Sequence, residues 1–204
     1  MRPPFPIIAR LCRGAALLLG LVGGRAQAQE STFDILKGGE VVGSVAASRT
    51  RTGDRTLYIM TSYSVMNVVW KQTVTSAMYT EYNGDTLRAC MSSIHVNGAV
   101  RDSSHMTTDA DGLRCHVYPR PAFRRAEALP WTTARMYYEE PVGQEHVFVE
   151  SVLEPCSLRT IDPGNYLLTF PNGAKSRYVY VAGELQEIHV DRTFIDLLFR
   201  RKPD

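Results

Sequence analysis

Cysteine is scarce in this chain, with four in 204 residues: Cys12, Cys90, Cys115 and Cys156. A domain stapled by disulfides needs a dense and even set; with Cys12 in the N-terminal leader, three remain, so the domain must stand on a hydrophobic core with at most one bridge. Net charge is small as well, 23 basic residues against 21 acidic, which gives no electrostatic case for nucleic acid. No apolar run approaches the roughly 20 residues of a membrane-spanning helix. Also missing are G-x-S-x-G, H-E-x-x-H, a P-loop and G-x-G-x-x-G, so nothing signals a nucleophile elbow, a zincin helix or a nucleotide cradle. No cofactor is implied.

What is present begins with a leader. Arg2, Arg10 and Arg13 precede a ten-residue apolar run, AALLLGLVGG, and then Ala26-Gln27-Ala28. That is the layout of a secretory signal peptide. Residues 1–28 are expected to be removed between Ala28 and Gln29, because ten apolar residues are too few for an anchor. Cys12 precedes the run, so it cannot carry a lipid after cleavage. The leader holds four arginines and no acid, leaving 176 residues with 19 basic and 21 acidic. The expectation is one exported domain, 29–204, soluble in the periplasm or secreted, with no transmembrane helix. Arg120, Arg124 and Arg125, like Arg200, Arg201 and Lys202, read as solvated surface.

The remainder reads as strand after strand. Gly38-Gly39, Gly53-Asp54, Asn83-Gly84, Asn97-Gly98, Asp111-Gly112, Asn172-Gly173 and Gly183-Glu184 punctuate segments rich in β-branched and aromatic residues, and Asn-Gly and Asp-Gly supply the positive φ of two-residue hairpins. Strands are expected at 32–37, 41–51, 57–66, 68–82, 86–96, 99–108, 113–118, 146–153, 165–170, 176–181, 185–192 and 194–200. Residues 118–130 and 154–164 read as loops, and 132–140 as a short helix or a strand, the helix, ending before Pro141, being preferred. The fold class is all-β: a curved antiparallel meander forming an open or closed barrel-like sheet that hides its edges. In 57–66 the alternation is imperfect. One parity gives Leu57, Ile59, Thr61, Tyr63 and Val65, and the other Tyr58, Met60, Ser62, Ser64 and Met66. Apolar residues on both faces imply that each is partly covered, by a second layer, a plug, a ligand or a partner.

Three stretches carry a family resemblance: FDILKGGEVVGSV; YSVMNVVWKQTVTSAMYTEYNGDTLRACMSSIHVNG; and NYLLTFPNGAKSRYVYVAGELQEIHVDRTFIDLLFRR. Across nearly all of 32–201 the chain resembles an uncharacterised family of secreted bacterial β-proteins, the domain-of-unknown-function family 6134 type, known mainly from Bacteroidetes. That family is in turn distantly similar to another uncharacterised envelope family with a curved antiparallel sheet. The resemblance implies compartment and fold, and no catalytic residues.

The stretch 80–117 holds the residues that look most like chemistry. A two-residue Asn97-Gly98 turn sets Cys90 opposite His105, and the next turn sets His105 opposite His116 or Tyr118. Cys90, His105 and His116 would then share one face as a zinc-capable row, with Cys115 on the other face. An added bulge residue would reverse this parity, and the plain reading is ordinary strand residues. Asp109-Ala110-Asp111-Gly112 is a turn rather than a calcium loop, since the later Glu ligand is missing. Glu139-Glu140 reads as a solvated helix end.

Two functional readings follow. The first is a non-enzymatic protein that holds an apolar small molecule such as a lipid in the curved sheet, lined by Tyr58, Met60, Tyr63, Met66, Trp70, Met78 and Trp131. The second is a structural or protein-interaction component of the envelope. A shared concave side for those residues favours the first, and a flat exposed patch favours the second. An enzyme or a metal-binding protein ranks third.

Overall fold

Short glycine-bearing turns cut the chain into ladders. The computed structural model describes residues 27–67, 70–125, 131–192 and 195–203, so the leader up to residue 26 lies outside the described residues. The strands are β1 (Gln27–Lys37), β2 (Glu40–Thr52), β3 (Arg55–Asn67), β4 (Lys71–Asn83), β5 (Thr86–Val96), β6 (Ala99–Asp109), β7 (Gly112–Val117) and β8 (Phe123–Arg125). After a long excursion come β9 (His146–Val149), β10 (Glu154–Asp162), β11 (Asn165–Thr169), β12 (Lys175–Val181), β13 (Glu184–Arg192) and β14 (Ile195–Arg201). The position between Ala28 and Gln29 falls inside the first residues of β1.

All fourteen strands join one sheet, ordered β8-β7-β6-β5-β4-β3-β2-β1-β14-β13-β12-β11-β10-β9. Each neighbour pair follows the chain except one. First and last strands pair antiparallel, with Phe33 opposite Arg201 and Ile35 opposite Phe199. Two meanders are therefore joined at the middle of the sheet, giving the all-β, barrel-like antiparallel architecture expected. The turn residues behave as read: Gly38, Gly84, Asn97 and Gly98 have φ of 59°, 57°, 52° and 83°.

Three local readings change. Residues 154–164, read as loop, contain β10. Pro155 sits at the strand's beginning, where a missing amide is tolerated, and buried Cys156 and Leu158 then alternate with exposed Ser157 and Arg159. Strand β8 lies inside the 118–130 loop. The segment 132–140 winds only into a 3-10 turn at Arg135–Tyr137; among the described residues no helix is long and apolar enough to cross a membrane.

The inner face makes the core. In β3 Tyr58, Met60, Ser64 and Met66 are buried while Ile59, Thr61 and Tyr63 are exposed. One continuous cluster includes Phe33, Val45, Met106, Phe148, Leu168 and Ile188, reaching across both meanders. Gly43 lets β2 approach β3: a Cβ there would lie 2.2 Å from the Tyr63 carbonyl oxygen, a separation no side chain tolerates. Outward positions carry ion pairs such as Arg55–Glu81 at 2.9 Å and Arg200–Glu187 at 3.0 Å.

Candidate functional site

The curved sheet is filled by its own chain. Between β8 and β9 the residues 131–145 return as a plug. It is tied to the edge strand β9, where the Phe148 amide donates to the Trp131 carbonyl (2.8 Å) and the Thr133 amide to the Phe148 carbonyl (3.1 Å). The 3-10 turn then drives Met136 and Tyr137 into the interior, both buried. Tyr137 meets Phe33 edge-on at 5.5 Å.

Four wall tyrosines hold the plug by their hydroxyls. Tyr82 donates to Thr132 Oγ1 at 3.0 Å and Tyr58 to Glu139 Oε1 at 3.3 Å. Tyr166 donates to Glu140 Oε1 at 2.7 Å and Tyr180 to the Met136 carbonyl at 2.5 Å. A tyrosine suits this position because its ring fills an apolar wall while its tip meets a polar group of the plug. Burial, reinforced by Glu139, pushes the Tyr58 hydroxyl up to about 12. Burial and then the hydrogen bond to Glu140 do the same for Tyr166, also to about 12. Tyr82 and Tyr180 are raised further by burial.

Deeper still lies Glu150, with no exposed surface. Its carboxylate accepts from Thr80 Oγ1 (3.1 Å), the Ala134 amide (3.0 Å) and the Thr133 hydroxyl. Its own carbonyl accepts from Ser104 Oγ at 2.5 Å. A buried carboxylate is costly unless its lone pairs are met, and here β4 supplies one donor and the plug two. At the rim Glu139 is gripped by Arg49 at 3.1 Å and Arg135 at 2.8 Å. Arg135 in turn sits over the Trp131 ring at 4.5 Å and the Tyr82 ring at 5.5 Å.

The proposed lining residues separate accordingly. Tyr58, Met60 and Met66 are buried on the inner face, Met60 lies opposite half-buried Met78, and Trp131 closes over Arg135. Tyr63 is 54% exposed, on the outer side of β3, and Trp70 is 63% exposed. Tyr58 and Met78 touch the plug, of which Trp131 is itself a part, and the other two, Tyr63 and Trp70, face solvent.

The sequence of a described family matches almost the whole of this architecture. A domain of unknown function, DUF6134, spans residues 33–202. The chain belongs to the DUF6134 family. No curated protein is similar to it. Among solved structures, this DUF6134 chain is similar to a β-barrel-like protein of another domain of unknown function, DUF1849, from Brucella abortus. That likeness has a TM-score of 0.51 at 8% identity, and covers 85% of this chain and 95% of that one. It speaks for the fold alone.

The cysteine–histidine row is corrected by one bulge. The register of β5 and β6 shifts between Ile94 and His95, so Cys90 lies opposite Met106, and Met91 opposite His105. Met106 lies opposite Cys115 and His105 opposite His116. Cys90 is therefore inside with Cys115, on the same face, while His105 and His116 are outside. Two ladders separate the cysteine α-carbons by about 10 Å, beyond the reach of a disulfide. Cys90, Cys115 and Cys156 are free, buried thiols. Burial raises all three, Cys156 to about 11. Among the described residues no three His, Cys, Asp or Glu side chains group as metal ligands.

Sequence reasoning missed the latch residues of this DUF6134 fold. Glu150 is the one acid inside the apolar run VFVESVL, a usable signal. Glu139 and Glu140, read as solvated, turn to opposite walls: Glu139 to Arg49, Glu140 to Tyr166.

Proposed function

We propose that this protein is an exported, non-enzymatic component of the bacterial envelope that binds a protein partner through its outer surface. The observation carrying this reading is the plug. The inner face, where an apolar ligand would lie, is occupied by residues 131–145 and satisfied by them hydroxyl by hydroxyl. What remains apolar and unoccupied is outside. Ile59 (40% exposed), Tyr63 and Val100 (53%) stand on the outer side of β3 and β6, and Trp70 at the β3–β4 turn. Charged pairs flank them, the pattern of a water-facing wall rather than the apolar band of a membrane barrel. The signal-peptide layout of residues 1–28 supports export and a mature start at Gln29.

Photo-crosslinking in the native host tests it. A photoreactive residue at Tyr63 is expected to capture one discrete partner, lost in Ile59→Asp, whereas the same probe at Lys175 captures none. Native mass spectrometry of detergent-free material is the counter-test. A co-purifying lipid mass would show that the plug leaves the interior and would sink the outer-surface reading. N-terminal mapping of the same sample checks the cleavage between Ala28 and Gln29.

A further inference from the structure

The outer face of β5, β6 and β7 carries a row of side chains that the core does not use. Met91 is directly opposite His105, and His105 directly opposite His116. Adjacent strands are about 4.8 Å apart, and facing Cβ atoms about 4.5–5.5 Å. All three side chains reach solvent, Met91 being 45% exposed. Among the described residues no hydrogen bond or ion pair within the chain occupies either imidazole. A cleft of about 370 Å³ opens beside the pair, lined by His105, Thr107, Arg114, Cys115, His116 and Ala122.

We propose that Met91, His105 and His116 form a copper(I) site. Ligand softness selects the ion: thioether sulfur suits Cu(I), and imidazole suits copper as readily as zinc. His105, on the central strand, supplies one nitrogen from below, and His116 and the flexible Met91 lean in from either side. The neighbouring Arg114 penalises a divalent ion about twice as much as a monovalent one, because Coulomb energy scales with charge. Zinc prefers four ligands of nitrogen, thiolate or carboxylate, and the thiol of Cys90 faces the other way. A set of three ligands on an open surface leaves the ion reachable, as capture or hand-over requires. The site is independent of the partner-binding reading.

Anaerobic competition against the chromogenic Cu(I) chelator bicinchoninate, with ascorbate present, tests the assignment. The wild-type protein is expected to withdraw one Cu(I) per chain. His105→Ala and His116→Ala are each expected to weaken binding by roughly 10–100-fold or more, by comparison with the losses seen even for outer-shell changes at metal sites. Met91→Leu is expected to weaken Cu(I) by at least about tenfold while leaving the weaker zinc binding of the histidine pair unchanged. Cys90→Ser is expected to change nothing. The proposal is overturned by a chain that takes no Cu(I), by a Met91→Leu variant of unchanged Cu(I) affinity, or by loss of binding in Cys90→Ser. Each replaced ligand points outward, and the unfolding midpoint of every variant reports whether the fold is retained.

Discussion

The plug and its flank carry two carboxylates that solve the same problem in opposite ways. Glu139, at the rim, sits between two guanidinium groups, with about a third of its side chain in water (32%). Glu150, fully enclosed, is met by two hydroxyls and an amide. The difference follows from desolvation. Bringing an arginine to Glu150 would bury a second charge, whose hydration loss offsets the attraction. Small dipoles from β4 and the plug stabilise the carboxylate without that loss. Both carboxylates tie the plug to the wall, one through charge and the other through hydrogen bonds.

The comparison is broken most directly at the deep site. Glu150→Leu leaves two hydroxyls and the Ala134 amide without an acceptor in an enclosed space, and is expected to cost about 3 kcal/mol or more in urea unfolding. Glu150→Gln keeps one carbonyl oxygen and should cost less. A smaller loss, about 1–1.5 kcal/mol, is expected for Tyr180→Phe, which removes the donor to the Met136 carbonyl. Glu139→Gln should cost under about 1 kcal/mol, and that cost should shrink in high salt, as for other partly exposed pairs. Equal losses at Glu139 and Glu150 would refute the contrast drawn between them.

Alkali sharpens the same point through the tyrosines. An unfolded tyrosine ionises near 10, whereas Tyr58 and Tyr166 hold their protons to about 12 when folded. Between these values the unfolded chain binds fewer protons than the native one, so stability falls as pH rises. Denaturation midpoints should begin to fall at about pH 8–9, where the unfolded thiols ionise and the buried ones do not, and decline further through pH 10–12. Replacing both tyrosines by phenylalanine should lessen that decline without abolishing it, because Tyr82 and Tyr180 are raised as well.

Much of this was written in the sequence, and the exceptions have identifiable causes. Turn pairs such as Asn97-Gly98 announce positive φ directly, so strand boundaries from β2 to β7 were legible. The alternation in β3 already separated Tyr58, Met60 and Met66 from Ile59 and Tyr63, and its two-sided apolar character already asked for a cover. The bulge at Ile94/His95 was not legible. It arises where β6 takes an extra residue, Arg101, which puts His105 on the face opposite Cys90 and leaves it beside Met91. Nor was the plug: residues 131–140 follow neither the period of a strand nor that of a helix, since their contacts come from strands distant in sequence. A strand beginning Glu154-Pro155 looked like a loop because proline is a poor strand former wherever it is not at an end.

The ladder between β1 and β14 has one more consequence. A polypeptide is made from its N-terminus, so β1 must wait, with one margin bare, for the last strand to be synthesised. The first eight strands can assemble by local pairings as they appear, which is fast. The clasp between the two meanders, however, is the first strand and the last. Until Phe199 lies beside Ile35, the growing chain presents a bare row of amides and carbonyls to any other chain nearby.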